Sequence, residues 1–378
     1  MQAAARDARL SSRTEAARQE GSRQAISSFP AFFGACSFAV SPLLLAAVLG
    51  AAGCALPNDD PTSVHDLRIL AIGTTPPELR YPVHGNFAQS QCAPDLSPIY
   101  AAAPIRIGTL VADPDGGGRD LPWTFTECPQ TGTEQCPPDP AYVIAQGDSP
   151  ASAIGTTWDI AAEAAAETRA QQSCAGSDGG CPPTPLLTAF AANTAGLCRF
   201  GVWLQIGLMI AAPERTIYGS KILVFTPMPD DYPTDAGVCP QAPDGGMPDH
   251  ENPEYSVLQL DGQTLPASSV ETASAGAPHQ LQPVIPTLNG PSDYCVPNFE
   301  GGWTRLHETW LFSFMTTIGT FSQEQVGYGG WGNPSGGPIT YSIDWNNPAD
   351  GGVATIYSVL RDGRGGTSWI TRQVDLVP

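Results

Sequence analysis

Proline and glycine recur so often in this chain that few uninterrupted stretches could hold a long helix. There are 40 Gly and 38 Pro in 378 residues, about a fifth of all positions. Proline removes a backbone donor from a helix interior, and glycine there costs ~1 kcal/mol relative to alanine. The same two residues suit short strands joined by tight turns. Disorder is opposed by 42% hydrophobic residues and eight Trp, enough apolar surface to offset the entropy of ordering. The expectation is a loop-rich, globular, mostly β protein, long enough for two domains.

Charge is unevenly placed. The first 23 residues carry Arg6, Arg9, Arg13, Arg18 and Arg23 against Asp7, Glu15 and Glu20. Removing these from the totals of 17 basic and 37 acidic residues leaves 12 and 34 from Cys54 onward, a net of −22. Such a body repels phosphate backbones, so no nucleic-acid partner is expected.

Between those arginines and Asp59 lies an uncharged stretch, Gln24 to Asn58. Under the positive-inside rule the basic end stays in the cytoplasm and the remainder of the chain is exported. Pro30, Gly34 and Pro42 interrupt the stretch, leaving Leu43–Leu49 as its apolar core. That length suits a signal peptide rather than the ~20 residues of a membrane span. The small residues Gly50, Ala51, Ala52 and Gly53 lead into Cys54. "AAGC" resembles the lipobox of bacterial lipoproteins, although Ala51 stands where that motif prefers leucine. The resemblance implies that the Cys54 thiol carries a diacylglyceryl group and becomes the new N-terminus. The acyl chains would then tether the protein to a lipid membrane, in the cell envelope and most simply at the outer membrane. An ordinary secretory signal and a retained anchor are the alternatives.

The sequence divides by composition into a leader (1–53), a polar tether (54–63), a first β region (64–228), a Pro/Asp-rich linker (229–255) and a second β region (256–378). In the first region, Ile105, Ile107, Thr109 and Val111 alternate, an Asp/Gly turn follows at 113–118, and a strand with Trp123 and Phe125 comes next. This predicts a β-hairpin. Residues 130–195 break the rhythm with Pro-rich loops and a helical candidate at 158–172, and are expected to form a disulfide-pinned insertion. The linker, rich in proline, is expected to be semi-extended.

"LVADPDGGGRDLPWTF" (110–125) and "IYSVLRDGRGGTSWITRQVDLV" (356–377) resemble the strand–turn–strand units of immunoglobulin-like sandwiches, especially PKD and cadherin-like bacterial surface modules. With "VHDLRILAIGTTPPEL" (64–79) behind the lipobox, the chain resembles myxobacterial-type surface lipoproteins. The resemblance implies an all-β fold of two immunoglobulin-like β-sandwich domains and carries no reaction with it.

Eight cysteines lie in the exported body, an even number that reads as disulfides. Their 105 possible pairings leave connectivity open. Short loops favour Cys128–Cys136 and Cys174–Cys181, leaving Cys92–Cys198 and Cys239–Cys295.

No catalytic signature emerges. His65, His84, His250, His279 and His307 are scattered singly and read as surface or sheet-edge residues. "GDSP" (147–150) lacks the preceding apolar strand of a nucleophile block. Asp113, Asp115, Asp120 and Asp362 could in principle hold calcium, but read more simply as turn residues. No metal site and no cofactor are therefore expected. The loop "VGYGGWGNPSGGP" (326–338) sets Tyr328 and Trp331 among glycines, the candidate binding loop. Trp303, Trp310, Trp345 and Trp369 have strand neighbours and are expected in the core. The expected function is a lipid-anchored, non-enzymatic surface protein whose sandwich loops bind a protein or a glycan. The alternatives are an envelope hydrolase with carboxylates that sequence cannot pick out, and a structural spacer.

Overall fold

Residues 60–378 are described by a computed structural model, apart from 87–90, 130–135, 137–139, 175–183, 193–196, 199, 244–245, 286–291, 299–301 and 328–340. The leader, Cys54, Tyr328 and Trp331 thus lie outside the described residues.

The first strands are β1 (Arg68–Thr75), β2 (Glu78–Asn86), β3 (Gln91–Pro94), β4 (Ile105–Ala112), β5 (Asp120–Pro129), β6 (Val143–Pro150), β7 (Gly155–Trp158), β8 (Val202–Ala211) and β9 (Thr216–Pro229). They form a sheet ordered β1-β4-β7 and a second ordered β3-β2-β9-β8-β5-β6. Strand alternation turns Ile72, Ile105 and Ile107 of one sheet toward Tyr81, Phe125 and Ile206 of the other, in one shared core. Each such side chain contributes roughly 1.5–3 kcal/mol on burial.

The second set comprises β10 (Val257–Leu260), β11 (Gln263–Thr264), β12 (Glu271–Ser274), β13 (Pro278–Val284), β14 (Asp293–Pro297), β15 (Trp303–His307), β16 (Leu311–Thr316), β17 (Thr320–Phe321), β18 (Gln325–Gly327), β19 (Ile343–Asn346), β20 (Gly352–Arg361) and β21 (Thr367–Val377). Its sheets run β11-β10-β13-β19-β17 and β12-β21-β20-β16-β18, with β14-β15 as a separate pair. Trp310, Trp345, Phe312, Phe314 and Leu360 fill the core between them. In both sandwiches the early strand divides between the sheets. β1 pairs antiparallel with β4, whereas β2 runs parallel to β9. Likewise β10 pairs antiparallel with β13, whereas β12 runs parallel to β21. An A-B-E edge facing G-F-C-C′ is the immunoglobulin arrangement, so the fold class inferred from sequence holds in both halves.

Three local expectations are corrected. The Asp/Gly turn at 113–118 does not close a hairpin: β4 belongs to the three-stranded sheet and β5 to the six-stranded one, so the chain arches from sheet to sheet. The chelate of Arg119 on Asp113, at 2.9 and 3.1 Å, closes this arch from within. The interval 130–195 contains two strands of the sandwich itself, β6 and β7. The helical part of it is α2 (Ile160–Cys174) and α3 (Pro185–Ala192), which follow the short α1 (Ser97–Tyr100). Asp159 caps α2 through the Ala162 N–H at 2.9 Å. Finally, His250 and His279 are buried, at 6% and 7% exposure, rather than at the surface. Each is admitted to the interior by a carboxylate, Asp362 at 2.7 Å and Asp261 at 2.6 Å.

Disulfides join Cys92–Cys198, Cys128–Cys136 and Cys239–Cys295, as the short-loop reading predicted. The fourth expected pair includes Cys181, outside the described residues. The Cys239–Cys295 bond and a cluster of Tyr232, Met247 and Trp303 fasten the 229–255 segment to the β14-β15 hairpin. That segment is therefore a strap laid on the fold, because a disulfide and buried aromatics hold what its prolines alone would leave extended.

Candidate functional site

The two sandwiches share a third core. Leu70, Ala71, Leu110 and Ala112, on the outer face of β1-β4, pack against Tyr357 and Val359, with Met315 and Trp369 partly buried beside them. Residues before β1 reinforce it: Val64 donates its N–H to Thr316 O at 2.8 Å, and Thr316 donates back to Thr62 O. The last residues of the expected tether thus lie against the second sandwich, and Val64 is fully buried. The result is four stacked sheets with three apolar layers.

At one side of this junction three glycines stand in register across the first sheet, Gly73 opposite Gly108 and Gly108 opposite Gly155. The missing side chains of Gly73 and Gly108 make room for the Trp369 indole. A Cβ on Gly73 would stand 3.0 Å from Trp369 Cζ3, and one on Gly108 3.5 Å from Cη2. Trp369 therefore leaves the expected core position and lies, partly exposed, between the two sandwiches. Two hollows of about 890 and 540 Å³ open on either side of it and share Thr75, Asn252, Thr367 and Trp369. Asn252 fixes their common wall. It donates to Thr74 O at 2.8 Å in the first sandwich and accepts from the Thr367 N–H at 2.8 Å in the second. Thr156, Thr157 and Arg106 line the smaller hollow, and Glu251, Glu254 and Tyr255 the larger.

Behind the groove runs a buried ionic network. Arg80 pairs with Glu78 at 2.6 Å and reaches Asp249 of the strap at 3.3 Å. His250 meets Asp362 at 2.7 Å and stands 3.8 Å from Glu78. Asp362 also accepts the backbone N–H groups of Arg364 and Gly366, each at 2.8 Å. Arg364 pairs with Glu308 at 3.0 Å and lies over the Tyr294 ring at 4.5 Å. Lys221 donates to Gly365 O.

The electrostatic balance favours charge. Burial would raise Glu78, but His250, Arg80 and Arg364 bring it down to about 2. Burial likewise opposes ionisation of Asp362 and His250. Their mutual contact nonetheless lowers the first below the usual carboxylate range and raises the second above the usual imidazole value. Burial pushes Lys221 down to about 8. His250, Glu308 and Asp362 bring ligand atoms within 4.8 Å of one another, yet Arg364 already serves as counter-cation there, with Glu78 at 3.5 Å and Glu308 at 3.0 Å. The network is a clamp joining both sandwiches and the strap.

Other residues singled out in the sequence are placed as turn or surface groups. Asp113 chelates Arg119, and Asp362 caps its own Gly-rich turn. Ser149 of "GDSP" accepts from Trp123 Nε1 at 2.9 Å on strand β6. His84 and His307 pair at the surface with Asp230 and Asp293. Just past the end of β15, Glu308 is buried while the adjacent His307 is exposed. The groove itself went unseen in the sequence; the signal available was the glycine at one register position of each strand, Gly73, Gly108 and Gly155.

No family model matches the chain, and no curated protein matches it. Among solved structures it is similar to the D00-D0 domain of intimin, at 9% identity over 82% of this chain and 100% of that one, TM-score 0.19. It is similar to red sea bream transglutaminase at 12% identity over 82% of this chain and 31% of that one, TM-score 0.19. A third is the Bacteroides ovatus mixed-linkage glucan utilization locus protein SGBP-B in complex with a mixed-linkage heptasaccharide, at 12% identity, 84% and 71% coverage and TM-score 0.17. The fold assignment rests on the strand pairing described above.

Proposed function

We propose that this chain is an exported, lipid-anchored, non-enzymatic binding protein that takes an extended glycan into the groove between its two sandwiches. The observation that carries the reading is Trp369, a partly exposed indole held at the junction by Gly73 and Gly108. Hydroxyl, amide and guanidinium side chains of both sandwiches stand around it. A sugar ring offers an apolar face to an aromatic ring and hydroxyls to such neighbours, and a concave site with a few placed polar groups suits that recognition. The three-layer core and the ionic clamp hold both walls in one geometry, which reduces the ordering cost of binding. The lipobox-like "AAGC" supports tethering at Cys54, with the acidic body facing outward from the membrane.

The test is a glycan array probed with the purified protein, followed by titration of any ligand found. Trp369→Ala should lower affinity at least tenfold, by ~1.4 kcal/mol, with an unchanged far-UV spectrum. Binding that survives that substitution places the ligand elsewhere, with the 326–338 loop as the next region to change. The anchor is tested separately by the intact mass of membrane-extracted protein. A species beginning at Cys54 with acyl chains, lost in Cys54→Ser, supports it, and an unlipidated mass sinks it.

A further inference from the structure

A second set of buried acids lies in the first sandwich, away from the groove. Strand alternation places Glu127 of β5 on the same face as Leu121 and Phe125, both fully buried. Glu127 is itself only 2% exposed. Helix α2 brings Glu163 and Glu167 to the same place, since residues four apart share a helix face. The three carboxylates offer oxygens all within 4.8 Å of one another. Glu167 is tied down independently, accepting the Leu186 and Leu187 N–H groups of α3 at 3.0 and 2.8 Å.

Nothing among the described residues neutralises the set. Glu127 Oε2 is buried without a hydrogen-bond partner, and the groups acting on Glu127 are Glu163 and Glu167, both of its own sign. Tyr100, at the end of α1, faces Glu167 and supplies no positive charge. The junction clamp places an arginine or a histidine beside every carboxylate; among the described residues no such cation stands here. Burial and like charge also push Glu127 well above the usual carboxylate range. A bound cation would remove that penalty, because carboxylate oxygens at this spacing suit a hard ion rather than zinc or copper.

We propose that Glu127, Glu163 and Glu167 bind a divalent cation of the calcium class, which fastens the α2–α3 insertion to strand β5. Its ligands would be one oxygen from each carboxylate, with the remaining positions filled by water or backbone carbonyls. The site is independent of whatever the groove binds.

The experiment uses the full purified chain, stripped with EDTA and then titrated with Ca²⁺, Mg²⁺ or Mn²⁺ at about pH 7, by calorimetry and thermal melting. A Kd near 0.1–1 mM is expected for Ca²⁺, with Tm rising by about 3 °C at tenfold excess. Glu127→Gln should melt no lower than wild type in EDTA and lose both the heat and the shift. Glu163→Gln, at a partly exposed position, should weaken binding at least tenfold without loss of fold. Absence of heat and shift in the wild type up to about 10 mM of any of the three ions would overturn the proposal. An equal shift in wild type and Glu127→Gln would overturn it too, since the ion would then sit on the acidic surface. So would a stability that follows pH alone, with the ions without effect, because the carboxylates would then be sharing protons.

Discussion

Glu78 and Glu127 are both glutamates on strands of the first sandwich, 7% and 2% exposed, yet their environments are opposite. Glu78 is surrounded by Arg80, Arg364 and His250 and is ionised down to about 2. Glu127 is pushed well above the usual range by burial and then by Glu163 and Glu167, with no cation beside it among the described residues. Burial alone therefore does not decide the state of a carboxylate; the sign of the charges within a few ångströms does. The first arrangement joins two sandwiches by setting an arginine or a histidine beside each carboxylate. The second stores a penalty that a proton or a metal ion can release.

The comparison can be broken most directly at Asp362, which is 1% exposed and holds His250 and two backbone N–H groups. Asp362→Ala orphans all three and should cost ~3–5 kcal/mol in urea unfolding. A loss under ~1 kcal/mol would show that the clamp does not hold the junction. Next in size, Glu127→Gln should stabilise the metal-free protein by ~1–3 kcal/mol near pH 7, because it removes an uncompensated buried acid. Destabilisation of that order instead would mean Glu127 has a partner charge.

The pH profile sharpens the contrast through its two limbs. Glu78 has a lowered folded pKa, so its contribution is present above 4.5 and is lost as pH falls toward about 2. Glu127 has a raised folded pKa, so its contribution is present below 4.5 and is lost as pH rises through the folded value. His250, also raised, loses its contribution as pH climbs above 6.5 through its folded value. In metal-free protein, urea unfolding across pH should show both limbs, with Glu127→Gln flattening the alkaline one and Glu78→Gln the acid one. A single unchanged alkaline limb in Glu127→Gln would assign that limb to the other groups held above their usual values, His250, His279, Glu163 and Glu167. The smallest effect belongs to His84, whose pair with Asp230 is 57% and 58% exposed. His84→Ala should change stability by less than about 0.5 kcal/mol, and a loss comparable to that of Asp362→Ala would erase the distinction between buried and exposed pairs.

Local features were readable from the chain. The helix expected at 158–172 and found at Ile160–Cys174, and the strand–turn–strand unit of 356–377, depend on neighbours in sequence. Two segments with nearly the same Asp/Gly signature then part company. Residues 362–366 close the β20-β21 hairpin, whereas 113–119 carry the chain from one sheet to the other. Turn residues permit a reversal; which strand pairs afterwards depends on partners far away, here β1 and β7 for β4, and β6 and β8 for β5. For the same reason the strap at 229–255 looked like a free linker, since its disulfide to Cys295 and its ion pair with Arg80 come from distant residues.

What the sequence determined by itself was the all-β class, the sandwich pattern and the turn chemistry, because periodicity, proline and glycine act over a few residues. The cysteine pairs were favoured by loop length but left open until the fold closed loops as long as the one from Cys92 to Cys198. Only the tertiary structure decided that Gly73, Gly108 and Gly155 align in one row, the first two of them against Trp369. It alone gathered Glu78, His250 and Asp362 with their counter-charges and brought Glu127, Glu163 and Glu167 together with none among the described residues. Register and charge pairing join residues separated by tens to hundreds of positions, and those distances close only when the sheets stack.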